Sequence, residues 1–264
     1  MSRSNWNERY GSWALVTGAS AGLGEEFALQ LADKGMNVAL VARRRERLES
    51  LSKKLYQDYH VDGRVIALDL TEPSASEEVA AAVEDLEIGL LINNAGFGTV
   101  DRFHKHEPGL QVKMTILNCV VPVELTEKFL PAMVERKRGG IIFVASTAAY
   151  QATPFFTVYG ATKVFNLFMG EGLWEEYRRD GIDVLALSPG YTATEFHEVA
   201  GSSTSHRKHG VKAEDVVSLA LQNLGRVPSV MYGRWNRLLM NLQRLLPRKV
   251  VIKLTSQFLQ QMVR

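Results

Sequence analysis

WALVTGASAGLG at residues 13–24 runs a short apolar segment straight into three glycines, and the helical pattern that follows begins at Glu25. Strand, glycine turn and helix in that order bring backbone N–H groups to a helix start, where glycines let a pyrophosphate approach closely. Gly18, Ser20, Gly22, Leu23 and Gly24 are therefore the expected cradle of a dinucleotide. A phosphate-binding P-loop would place a lysine and a hydroxyl residue after its last glycine. GLGEE has neither, which argues against an NTPase.

Working outward, apolar runs of the same kind recur at MNVALVA (36–42), RVIALDL (64–70), GLLINNAG (89–96), GIIFVAS (140–146) and IDVLALSPG (182–190). Segments of helical periodicity separate them. Their continuous hydrophobicity, without strict alternation, fits strands covered on both faces, as in a parallel sheet. SVMYG at 229–233 adds a seventh. The expectation is an α/β fold, a doubly wound parallel sheet of about seven strands (a Rossmann fold) with helices on both faces, forming a single domain over 1–264. Residues 1–11 read as a polar N-terminal arm and 234–264 as a basic helical extension. Ligands of such sheets sit at the carboxyl ends of the strands. Asp69 and Leu70, Asn94 to Gly96, Ser146, and Pro189 with Gly190 all fall there.

At 46% apolar over 264 residues the chain can build a sizeable core and is not disordered by composition. Cys119 is the single cysteine, so no disulfide forms within the chain; a reducing, cytoplasmic setting and a buried structural thiol are expected. No run of about 18 apolar residues occurs, which predicts a soluble or peripheral protein. The net charge of +2 hides an asymmetry: from Val216 to Arg264 there are eight basic residues and no acid, so the preceding part is net negative. Such a basic end is an interaction signal.

The second strand ends VALVARRR, with Ala42 where an acid would hold the ribose hydroxyls of an unphosphorylated cofactor, and Arg43 next. A guanidinium there can fork onto a 2′-phosphate, which predicts NADP(H) over NAD(H). Farther on, YGATK sets Tyr159 and Lys163 four residues apart, on one face of a helix. A cation beside a phenol favours its ionised form.

These motifs resemble the short-chain dehydrogenase/reductase family in its single-domain form. The match rests on TGASAGLG, Asp69-Leu70, NNAG at 93–96, Asn118, Ser146, YGATK, and Pro189-Gly190 with Thr194, and it runs from about Trp13 to Thr194. The resemblance implies that Tyr159 is the general acid when a carbonyl is reduced and that Ser146 hydrogen-bonds the substrate oxygen. It implies that Lys163 binds the nicotinamide ribose and lowers the tyrosine pKa, with Asn118 positioning a water. Asp69 and Leu70 would then contact adenine, Asn94, Ala95 and Gly96 the ribose, and Pro189, Gly190, Thr192 and Thr194 the nicotinamide end. Within the family, ARRRERLE, PGYTATEF and the basic tail look most like the branch of long-chain beta-ketoacyl reductases and hydroxysteroid dehydrogenases. Family members assemble through long helices, here around 112–136 and 157–180, which implies a homodimer or homotetramer.

The expected substrate is a small carbonyl or alcohol compound of lipophilic or acyl type. Phe97, Phe155 and Phe196, with Tyr150 and Phe156, are expected to wall its cleft, and 197–210 to form a polar lid. Trp235, Leu238, Leu239, Leu242, Leu245 and Leu246 follow a helical stripe among arginines. A basic amphipathic helix of this kind suits an anionic membrane surface or an acyl-carrier phosphate; the alternatives are packing over the active site or against a second subunit. Nucleic acid is not expected as a partner, since the tail lacks a stacking platform. No metal site is expected either: His104 and His106 stand in no completing acid and cysteine set. A non-catalytic NADPH-binding redox sensor or scaffold is the alternative function, although such a protein would be expected to lose the tyrosine or the lysine.

Overall fold

Seven parallel strands in the order β3-β2-β1-β4-β5-β6-β7 form the sheet of the computed structural model, which describes residues 3–192 and 210–260. They are β1 (Trp13–Thr17), β2 (Asn37–Ala42), β3 (Gly63–Ala67), β4 (Ile88–Asn93), β5 (Gly139–Val144), β6 (Ile182–Ser188) and β7 (Ser229–Met231). Each expected strand is present, and every pairing is parallel. Strand order reverses between β1 and β4, so a crevice opens where the chain leaves their carboxyl ends in opposite directions.

Alternating side chains of each strand feed two cores. Ala14 and Val16 of β1, Val38 and Leu40 of β2, and Ile142 of β5 pack toward α2 (Gly22–Asp33), α3 (Arg45–Tyr59) and α8 (Ala213–Asn223). Phe27 and Leu31 come up from α2 on this side, with Leu48 and Leu55 from α3 and Val216 and Ala220 from α8. Leu15, Ala39, Val41, Ile141 and Phe143 point the other way, toward α4 (Ala75–Ala81), α6 (Val121–Arg136) and α7 (Thr157–Tyr177). Burial on both faces is the physical reason these strands read as unbroken apolar runs.

The N-terminal segment departs from the expected polar arm. It is a helix, α1 (Arg3–Tyr10), whose Trp6 and Tyr10 are buried in the first core. Tyr10 donates to Asp183 Oδ2 of β6 at 2.8 Å and Arg9 Nε donates to the same oxygen at 2.6 Å, fastening the helix across the sheet. Burial, with the Asp183 carboxylate adding to it, pushes the Tyr10 phenol well above its ordinary range, so it stays a neutral donor. Two aromatic rings spaced by four among polar residues were the available signal.

The helix expected over 112–136 is interrupted. α5 (Leu110–Thr115) passes into a π turn at Ile116–Val120 before α6 resumes, with Pro122 in its first turn. A π turn carries one extra residue per turn and is a frequent local device at functional sites. After β7 the chain adds α9 (Arg234–Leu242), a short 3₁₀ turn at Gln243–Leu245 and α10 (Arg248–Gln260). Most of residues 234–260 are therefore helical.

Candidate active site

One cavity of about 890 Å³ lies along the carboxyl edge of the sheet. At one end is the glycine turn. Gly18 has a φ of 67°, the left-handed region that favours glycine, and a Cβ there would come within 2.9 Å of Asn94 Nδ2. Gly24 packs against the Gly18 carbonyl so closely that no Cβ fits. The turn can fold only with glycine at both positions, which brings the start of α2 to the cavity floor. Ser20, Gly22 and Leu23 line the cavity beside Gly18, whereas Gly24 does not.

Thr17 pins the neighbouring strand. Its buried hydroxyl accepts the N–H groups of Asn94 at 2.9 Å and Ala95 at 3.0 Å while donating to Ile92 at 3.1 Å. Asn94 Nδ2 returns a bond to the Thr17 carbonyl at 2.7 Å. Two strand ends from opposite sides of the switch point are thus locked, leaving Asn94, Ala95 and Gly96 on the wall. Thr17 was not among the expected site residues, since its place in the turn motif does not show which strand it bonds.

At the end of β2, Arg43 stands at the cavity lip with 75% of its side chain exposed, its Nη1 3.8 Å from Asp69 Oδ2. Arg44 is different: Nε and Nη2 reach Ser20 Oγ at 3.2 and 3.1 Å, bracing the glycine turn. The sequence singled out Arg43 but not Arg44; the fold turns the first toward Asp69 and the second onto Ser20. Asp69 Oδ1 accepts from the Thr71 N–H at 3.0 Å and hydroxyl at 2.9 Å. Burial raises the Asp69 pKa, but the Thr71 bonds and Arg43 outweigh it and hold the carboxyl below its ordinary value. Leu70 lines the cavity beside it.

At the other end Ser146, Tyr159 and Lys163 converge on the cavity, although Ser146 follows β5 and the other two lie on α7. Ser146 Oγ accepts from the Ala148 N–H at 3.1 Å, which fixes its rotamer, and its hydroxyl bonds the Tyr159 phenol. Tyr159 and Lys163 are 7% and 4% exposed. Their electrostatics differ from the expectation that the ammonium lowers the phenol. Lys163 Nζ donates to the Val144 carbonyl at 2.7 Å and lies 5.7 Å from the Tyr159 ring centroid. Burial dominates both groups: it pushes the phenol up to about 12, against the pull of Ser146, and the ammonium down to about 8.

Asn118 is fully buried in the π turn and does not reach the cavity. Its Oδ1 accepts from the Phe97 N–H at 3.1 Å, and its Nδ2 donates to the Phe97 carbonyl and the Thr162 hydroxyl, each at 3.0 Å. The side chain therefore spends its hydrogen bonds joining the loop after β4 to α7 just beneath Lys163. Cys119 is buried next to it, and burial raises its pKa to about 11, so the thiol stays protonated, as expected of a structural cysteine.

Of the expected aromatic wall, Phe97 lines the cavity and Phe155 does not. Phe155 holds a φ of 66°, and its carbonyl accepts the Asp101 N–H at 3.0 Å, so this turn joins the loop near residue 100. Phe156, named with it for the wall, does line the cavity, stacked on Tyr159 with centroids 4.2 Å apart. Tyr150 points elsewhere, its hydroxyl 3.4 Å from Ser188 Oγ. Val100, Leu110 and Leu117 extend the apolar wall, and Phe258 and Leu259 of α10 complete it from the far end of the chain. Pro189, Gly190 and Thr192 line the cavity, whereas Thr194, Phe196 and all but the last residue of the 197–210 stretch lie outside the described residues.

A family model described as short chain dehydrogenase matches residues 12–204. The chain belongs to this family of oxidoreductases. The very-long-chain 3-oxoacyl-CoA reductase of Anas platyrhynchos is 33% identical over 231 residues, 84% of this chain and 74% of that protein. Hydroxysteroid dehydrogenase-like protein 1 of Gallus gallus is 32% identical over 83% of this chain and 67% of its own length. Among solved structures, one from a study of 7beta-hydroxysteroid dehydrogenase stereoselectivity superimposes with a TM-score of 0.88 at 28% identity, covering 94% of this chain and 98% of that one. A short-chain dehydrogenase from Sphingobium yanoikuyae in complex with NADPH gives 0.78 at 30% identity, over 88% of this chain and 94% of that one. The resemblance to the family seen in the motifs, and to its ketoacyl and hydroxysteroid branch, is thereby shown.

Proposed function

We propose that the protein is an NADPH-dependent reductase of a ketone or aldehyde in a lipophilic, acyl-type substrate, able to oxidise the corresponding secondary alcohol in reverse. The observation that carries this reading is the convergence of Ser146, Tyr159 and Lys163 at one end of a cavity whose other end is the Gly18–Gly24 turn. The glycine cradle, Asp69 and the exposed Arg43 fit a dinucleotide bearing a 2′-phosphate, with Arg44 holding the turn through Ser20. When bound, the nicotinamide supplies the hydride.

The chain's own residues do the rest. A phenol held near 12 is protonated at neutral pH, the state a general acid needs to donate to a carbonyl oxygen. Ser146, its Oγ already oriented by the Ala148 N–H, hydrogen-bonds that oxygen and holds it within reach of Tyr159. Lys163 keeps a positive charge beneath the phenol and eases the charge that develops as the proton leaves. Asn118 acts as a positioning residue, fixing Phe97 and α7 relative to each other. A non-catalytic sensor would not require these groups to meet at one point.

The apolar wall of Phe97, Val100, Leu110, Leu117, Phe156 and Phe258 supports a bulky lipophilic substrate, as do relatives named for very-long-chain 3-oxoacyl-CoA and hydroxysteroids. Homo-oligomerisation has a matching surface: Phe165 and Phe168 of α7 are exposed, as are Val112 and Val120 before α6. Among the described residues no helix is long and apolar enough to cross a membrane. The deciding experiment follows NADPH consumption with ketones graded in chain length beside aldehydes and steroids. Turnover that rises with chain length is expected; no turnover of any carbonyl with either nicotinamide would favour the sensor reading.

A further inference from the structure

Ten of the sixteen exposed large apolar side chains among the described residues lie between Trp235 and Phe258. α9 is amphipathic the wrong way round for a helix that serves only the fold. Its polar Asn236 and the following Gln243 face the body: Asn236 Nδ2 donates to the Tyr232 carbonyl at 3.0 Å, and Gln243 Nε2 donates to the Tyr150 carbonyl at 3.2 Å and Gln151 Oε1 at 3.1 Å. Trp235, Leu238, Leu239 and Leu242 face outward, Trp235 at 77% exposure, and Leu245 in the next turn at 81%. These residues recur at helical spacing along α9 and the turn after it, and an exposed apolar face of this kind marks an interaction surface.

Charge indicates the occupant. Residues 234–260 carry six cations (Arg234, Arg237, Arg244, Arg248, Lys249 and Lys253) and no acid. A second copy of this face would bring cations to cations with no carboxylate between them, and the acidic body of a second copy, like any acidic protein, would match the charge but not so broad an aliphatic face. An anionic lipid surface satisfies both, because acyl chains receive the leucines and headgroup phosphates receive the cations. We propose that the 234–260 extension docks the protein on an anionic bilayer. Phe258 of the extension is exposed and also lines the cavity, so docking through the extension would bring part of the cavity wall to the bilayer and offer a lipophilic substrate a route in from the lipid. Docking stands on the extension alone; substrate entry rests on the proposed reductase function.

The test is flotation of the full chain with vesicles of phosphatidylcholine alone or containing 30% phosphatidylglycerol (about a third anionic headgroups, enough for a polybasic face). The chain is expected to float with the anionic vesicles, at least tenfold less with phosphatidylcholine alone, and less as salt rises. Leu242→Glu/Leu245→Glu should abolish flotation while the melting temperature and NADPH affinity stay unchanged. Arg248→Glu/Lys249→Glu should weaken it several-fold on anionic vesicles only. The emission of Trp235, taken as the difference between the protein and its Trp235→Phe variant, should shift to the blue on binding. Flotation equal in the Leu242→Glu/Leu245→Glu variant overturns the proposal. So does an absence of flotation, whether or not those leucine substitutions split a tight dimer or release a bound acidic carrier protein. Activity on a short water-soluble ketone, which needs no bilayer, reads the reductase function separately.

Discussion

α2 and α9 are both amphipathic helices, but they bury opposite faces. α2 hides Phe27 and Leu31 under the sheet and starts at the cradle, so its apolar face builds the fold and its N-terminus serves the site. α9 and the turn after it hold to the body through Asn236 and Gln243, and α9 leaves its leucines outside. Amphipathic pattern alone does not say which side is inward; the polar partners available at the docking point decide. One helix stabilises the molecule, and the other gives it a surface.

The largest test of this contrast is at the point α2 and its neighbours exist to support. Tyr159→Phe keeps the buried ring and its stacking on Phe156 but removes the donated proton. Reduction should fall by about 10²- to 10⁴-fold in kcat with NADPH affinity unchanged. Steady-state kinetics near the original rate would break the assignment. Next, Leu31→Ala in α2 empties a fully buried site and should cost about 2–5 kcal/mol in denaturant unfolding. A cost under 1 kcal/mol would mean that α2 is no more integral than the extension.

Arg43→Ala should weaken NADPH roughly ten- to a hundred-fold, as expected for loss of a charge-assisted contact, and leave NADH little changed. Equal losses for both cofactors would assign Arg43 to the fold. The pH profile follows the buried pair. Below about pH 8 Lys163 carries its proton and above it the charge is lost, so kcat/KM for reduction should decline as pH rises through about 8. A flat profile to pH 10 would mean that the ammonium does not assist Tyr159. The smallest effect belongs to the extension: Leu245→Ala should shift stability by no more than about 0.5 kcal/mol, as for surface sites generally.

Much of the site was legible because its residues fall at fixed places in an ordered string of motifs. Gly18 and Gly24 could be read as a cradle since a strand precedes and a helix follows, a local fact. Ser146, Tyr159 and Lys163 could be named, but their pKa values could not be foreseen. Burial, absent from any spacing, outweighs the proximity of ammonium and phenol. Phe155 and Phe156 are adjacent and chemically identical, so only the backbone turn at φ 66° determines which of them meets the cavity. Arg44 and Thr17 went unnoticed because their partners, Ser20 and the Asn94–Ala95 backbone, are distant in sequence.

Short stretches of sequence were enough to read the parallel sheet, the glycine turn and the candidate reacting side chains. Hydrophobic runs covered on both faces, glycine's backbone freedom and side-chain chemistry are properties of short stretches. The folded chain was needed to show that Tyr10 and Arg9 fasten to Asp183, that Asn118 holds Phe97 and α7 together, and that Phe258 finishes the cavity wall. Each of these depends on partners brought together from remote parts of the chain, so no local pattern could carry it.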